Sequence, residues 1–212
     1  MTSEPEYERL DLSDFQDSDQ AVTLAAYRCP KGYTEVAKKH MACQPGISAE
    51  FMLFGSFVAR MRGIHESVVR EISASNPHAV LPLIRVWVET VTIALYVLRK
   101  PRYVEYLLYG PGENRPGRKS FEAMFHAVRD DAAQLKPVYR ELSEYSHFDS
   151  LAVWNAYSLV GDRTVSWTDA PRWRDREHFQ VACAQAHELA VASLDVLDRL
   201  GVRLIPHATA GP

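Results

Sequence analysis

Cysteine is scarce: Cys29, Cys43 and Cys183 are the three among 212 residues. An odd number, widely spaced and without a C-x-x-C, excludes a disulfide framework and fits a reducing compartment. Cys29, His40 and Cys43 fall short of the four closely spaced ligands of a structural zinc, so neither metal nor other cofactor is expected. Charge of one sign is lacking as well. The net charge is -3, so nothing draws the whole chain toward nucleic acid or an anionic surface. Ten glycines and twelve prolines are too few for a low-complexity chain. The opening MTSEPEYERLDLSDFQDSDQ has neither the basic start nor the apolar run of a secretory signal, so a cytoplasmic location is expected.

Long apolar runs are nearly absent too. The exception is VLPLIRVWVETVTIALYVL at 80–98, with Arg85 and Glu89 near its middle. An arginine at a bilayer centre costs about 2.5–3.5 kcal/mol. A helix inside a bundle with those charges paired costs less, so no membrane contact is expected.

What the chain does have is helical periodicity. Phe51, Phe54, Val58, Met61, His65, Val68 and Ile72 recur at helical spacing, with Ser48 placed to cap the first turn. A second helix follows near 78–99, opened or kinked by Pro82. A short segment follows Pro101, and GPGENRPGRKS at 110–120 is a loop. Ser120 can cap FEAMFHAVRDDA, and Pro137 opens VYRELSEYSHF. The last helix covers Asp175 to Leu200, with Gly201 as its stop. AVWNAYSLV and TVSW flank Gly161-Asp162-Arg163, the pattern of a small hairpin. The expected fold is all-α: an antiparallel helical bundle of about five main helices with a small appended β-hairpin. Residues 1–46 read as an acidic N-terminal arm with short helical segments, 47–202 as the bundle, and 203–212 as a flexible tail.

One segment carries candidate chemistry. In Tyr139-Arg140-Glu141-Leu142-Ser143-Glu144-Tyr145-Ser146-His147, Arg140 and His147 are two helical turns apart and share a face, with Ser143 between them. A histidine there can move the proton of a ribose 2′-hydroxyl or of the leaving oxygen, and an arginine can stabilise the phosphorane charge. Arg60–His65 and Arg172–His178 have comparable spacings, but only Arg140–His147 keeps both groups on one face.

Arg followed after four to six residues by His resembles the signature of the HEPN-like helical superfamily. With Arg85-x-x-x-Glu89 upstream, the chain also resembles an uncharacterised bacterial helical family over roughly residues 50–200. The resemblance implies a helical bundle, often a homodimer, in which Arg140 and His147 of two subunits face one another. In catalytic members it implies a metal-independent endoribonuclease of toxin or phage-defence type; other members bind nucleotides or act as scaffolds. Glu141 departs from the Asn, Asp or His that often follows the arginine.

Other readings stay open. Arg85 and Glu89 are either an i,i+4 ion pair that fixes helix register or, with Tyr139 and Ser143, a polar pocket. A small-molecule pocket there would be closed and lined by Tyr139, Tyr145 and Trp87. Arg115, Arg118 and Lys119, with Arg99, Lys100 and Arg102 nearby, form a local basic patch for a phosphate-bearing partner such as RNA or a nucleotide. A non-enzymatic module would instead bind a protein through the acidic arm or through Trp154, Trp167 and Trp173 around the hairpin.

Overall fold

The computed structural model describes residues 10–42, 47–133, 135–146, 157–160 and 164–205. Among these the chain is helical almost throughout. A short 3-10 turn, Leu12–Phe15, leads into α1 (Ser18–Ala25) and α2 (Lys31–Met41). Then come α3 (Ala49–Ser73), α4 (Pro77–Arg99), α5 (Tyr103–Tyr109), α6 (Phe121–Ala132), α7 (Leu135–Ser146) and α8 (Arg176–Leu204). Two short strands, β1 (Tyr157–Val160) and β2 (Thr164–Trp167), pair antiparallel with Tyr157 opposite Trp167.

The helix starts follow from their capping residues. Ser48 accepts from the Phe51 N–H at 3.1 Å, Ser120 from Ala123 at 3.2 Å and Asp175 from His178 at 2.8 Å. Each such cap satisfies an N–H without an intrahelical partner and contributes about 1 kcal/mol. Helix α4 begins at Pro77, where a missing N–H costs nothing, and runs on through Pro82. The expected start near 78 is met within one residue, and Pro82 lies inside the helix rather than opening it.

Helix α4 is the axis of the fold. α3, α5, α6, α7 and α8 all pack against it, and Val80, Ile84, Trp87, Val88, Ala94 and Val97 are completely buried. Among the described residues it is the one helix long and apolar enough to cross a membrane, and 67% of its apolar window is covered inside the fold. Arg85 and Glu89 lie at the rim of that axis rather than in its core, with side chains 20% and 36% exposed. That position explains how so apolar a helix carries two charges.

Packing settles one point that the sequence left open and corrects one expectation. The described part of the acidic arm is docked: Phe15, Ala21, Ala25 and Tyr33 are buried in the same core as the bundle, because α1 and α2 lie along α3 and α8. Gly201 does not stop the last helix, which continues to Leu204. A Cβ at Gly201 would sit 2.3 Å from the His40 ring, so the glycine admits the imidazole instead of ending the helix.

Candidate functional site

Three of the four expected support residues meet where α4, α6 and α7 come together. Arg85 and Glu89, one turn apart on α4, face Tyr139 on α7. Arg85 Nη2 donates to the Tyr139 hydroxyl at 3.2 Å, and that hydroxyl donates to Glu89 Oε1 at 3.1 Å. Arg85 Nε is 3.5 Å from the same carboxylate oxygen. The guanidinium also lies over the Tyr139 ring, 5.2 Å from its centroid. Phe121, the first residue of α6, stacks on the same ring with centroids 3.9 Å apart. Three helices are thus tied through one tyrosine. Ser143 does not join them, because its hydroxyl donates to the Tyr139 carbonyl of its own helix at 2.8 Å.

The electrostatics beside this cluster are set by surface pairs. Lys136 donates to Glu122 at 2.6 Å, and that hydrogen bond, with the fields of Lys136 and Arg140, holds the Glu122 carboxyl below its usual range. Arg140 is exposed and makes no hydrogen bond or ion pair among the described residues. His147 lies outside the described residues, so the placement of the Arg140–His147 pair rests on its spacing alone.

The basic patch divides into engaged and disengaged cations. Arg99 binds Asp131 at 2.8 and 3.1 Å. Arg102 donates to the Asn114 carbonyl, and Arg115 donates to the Tyr109 carbonyl at 2.9 Å while lying over the Tyr109 ring. Those cations order the 110–120 loop rather than await a phosphate. The side chains of Arg118 and Lys119 stay exposed at the entrance to α6, beside Phe121.

Trp87 is not a wall of the Arg85 pocket, contrary to expectation. It is two residues from Arg85 and so points to the opposite side of α4, where its indole N–H donates to Ser193 at 2.7 Å. Of the three tryptophans around the expected hairpin, two are described. Trp173 packs edge-on against His178 and Phe179 of α8, Trp167 is 63% exposed, and Trp154 lies outside the described residues.

A second polar assembly, not singled out by the sequence reading, lies beneath Trp87. His65 on α3 is completely buried. Its Nε2 is 2.7 Å from the Ala25 carbonyl at the end of α1, and its Nδ1 is 3.3 Å from the Tyr33 hydroxyl on α2. A carbonyl only accepts, so Nε2 carries the proton and Nδ1 accepts from Tyr33. The Tyr33 oxygen accepts in turn from Ser193, which accepts from Trp87. Burial pushes the Tyr33 hydroxyl above its ordinary value and His65 below its own. The signal for this chain was present but ambiguous: His65 sits on the apolar face of α3, where a satisfied core histidine and a ligand look alike.

The two described thiols, Cys29 and Cys183, are held in the protonated form. Burial, then the Glu66 charge, outweighs Arg62 and pushes Cys29 up to about 11, and burial pushes Cys183 up to about 12. Among the described residues, no three of His, Cys, Asp and Glu gather as a metal site. An open groove of about 540 Å³ runs between α1, the end of α3 and the start of α8. The charges at its α8 end are already used: Arg176 donates to the Gln16 carbonyl, while Asp175 caps α8 and accepts from Arg174. Comparison with protein-family models, with curated proteins and with solved structures gives no match.

Proposed function

We propose that this is a HEPN-like cytosolic helical protein that binds RNA or a nucleotide on the α6–α7 face, with the paired β-segments appended as a small hairpin. The observation that carries the reading is Arg140: an exposed cation without an ion pair among the described residues, one position from the tyrosine that joins three helices. An exposed cation on so braced a helix can meet a phosphate from solvent. Arg118 and Lys119 flank the same face and extend its positive field. In this reading Arg140 stabilises phosphorane charge and His147 moves the proton, in a metal-independent endoribonuclease whose two halves come from a homodimer. Arg85, Glu89 and Tyr139 position α7 rather than touch substrate.

The test is incubation of the purified protein with mixed RNA in EDTA, beside His147→Ala and Arg140→Ala, with melting temperatures recorded. Cleavage lost in both variants at unchanged stability establishes the ribonuclease. Retained RNA binding without cleavage, weakened by Arg140→Ala, leaves a binding protein. No binding and no cleavage by the folded wild type ends the proposal.

A second reading has its own observation. Trp167 is 63% exposed and lies directly across the strand pair from Tyr157, itself 37% exposed. Tryptophan and tyrosine are enriched at binding hot spots, so a protein-interaction module would use this ribbon. Loss of partner capture by Trp167→Ala, with RNA binding absent, would select it.

A further inference from the structure

Residues 10–42 are held on the bundle by imidazoles at three points. His65 of α3 donates to the Ala25 carbonyl and accepts from Tyr33. His187 of α8 lies 2.9 Å from the Leu24 carbonyl and packs on the Tyr27 ring. His40 of α2 reaches out to Asp198 of α8 at 2.8 Å, where Lys39 adds a 2.6 Å hydrogen bond. The first two contacts grip the α1–α2 junction; the third grips the far end of α2.

The two ends respond to protons in opposite ways. At the junction, His65 accepts from Tyr33 only while Nδ1 is bare; a protonated ring forces the Tyr33 hydroxyl to turn and accept instead, its own proton loses the ring as partner, and the added charge lies completely buried. At the far end, burial raises the Asp198 carboxyl, but the hydrogen bonds and charges of Lys39 and His40 outweigh it and hold the group below its ordinary value. That carboxylate therefore stays ionised and keeps both partners through mild acid.

We propose that the α1–α2 layer is a hinged cap released by acid: protonation of His65 frees the α1–α2 junction, while the Lys39–His40–Asp198 contact keeps the end of α2 pinned to α8. Opening uncovers the surface of α3, α4 and α8 beneath Tyr33, including Ser193 and Trp87.

The groups facing His65 come from every packed element. α1 offers the Ala25 carbonyl, α2 the Tyr33 hydroxyl, and α4 the Trp87 ring, 4.7 Å away between centroids. α3 adds the Glu66 charge, which raises the imidazole's affinity for protons, and α8 adds His187, which lowers it. Burial outweighs Glu66 and the Ala25 hydrogen bond, so His65 sits below its ordinary value of 6.5. Between its lowered value and 6.5 the open form binds a proton that the closed form does not. The contact is therefore at full strength above 6.5 and weakens as pH falls. One proton changes the opening equilibrium by at most about tenfold per pH unit.

Hydrogen exchange on the full chain at pH 7.5, 6.5 and 5.5, corrected for intrinsic rates, tests this. Expected is a rise of opening in residues 18–35 of up to about fivefold between pH 6.5 and 5.5, with the α4 amides unchanged and residues 38–41 less affected. In His65→Gln, whose amide supplies a donor and an acceptor without titrating, the rise disappears. An NMR titration of the His65 ring in the wild type gives an independent check, since the ring must titrate together with α1–α2 exchange. Exchange in α1–α2 that ignores pH, or that rises equally in α4 or in His65→Gln, overturns the proposal.

Discussion

On one side of α4, Trp87 closes a chain of hydrogen bonds through Ser193, Tyr33 and His65 to the Ala25 carbonyl, and each of these four side chains is completely buried. On the other side, Arg85, Glu89 and Tyr139 bond to one another at a rim that solvent reaches. Both clusters are polar, and both join α4 to other helices. They differ in what happens when a member is lost. A buried partner left alone keeps its full desolvation cost, whereas a rim partner finds water. The inner cluster therefore fixes structure, and the outer one is free to carry a nearby group, Arg140, that does something else.

The largest effect tests how tightly the inner side is built. Gly201→Ala places a methyl 2.3 Å from the His40 ring. Alanine in place of glycine within a helix gains about 1 kcal/mol, but overpacking costs about 3 kcal/mol. A net loss of about 2 kcal/mol is expected in denaturant unfolding, with the His40–Asp198 contact broken. A stabilised variant would show that α8 yields easily there and that the close approach of His40 is incidental.

The sharper test uses one chemical change on both sides. Tyr33→Phe strands His65 Nδ1 and the Ser193 hydroxyl in the core and costs about 1–3 kcal/mol. Tyr139→Phe removes an identical hydroxyl, yet Arg85 and Glu89 keep each other and reach water, so the loss stays below about 1 kcal/mol. Equal losses in urea titrations would collapse the distinction between the two clusters.

Much of this arrangement was readable along the chain because it depends on local spacing. The four-residue step from Arg85 to Glu89 gave their pairing, and the apolar stripe of α3 gave its buried face. Ser48 and Ser120 marked helix starts through chemistry confined to one turn. What escaped depends on contacts between distant segments. His65 is bound by residues 40 and 32 positions away in sequence, and no periodicity distinguishes a histidine that meets a carbonyl from one that meets solvent. Gly201 shows the same limit: a glycine near a helix end reads as a stop, and only the approach of α2 shows that it serves His40. Trp87 reads like a pocket wall beside Arg85 until the 100° step of the helix turns it to the other side.

The smallest expected effect is the most informative about function. Arg140→Ala removes an exposed side chain without an ion pair among the described residues, so stability should change by less than about 0.5 kcal/mol. The loss of one phosphate contact should instead weaken RNA binding at every sequence and lower the salt dependence of binding by about one unit of slope. Measuring affinity at several salt concentrations separates a phosphate contact from a general charge effect, because Arg129→Ala, at another exposed position on α6, leaves the slope unchanged. If both variants shift the slope equally, the field of the whole surface is at work and Arg140 has no special place in it. If Arg140→Ala lowers stability by 1 kcal/mol or more, the outer cluster is structural like the inner one, and the contrast between the two sides of α4 is one of exposure only.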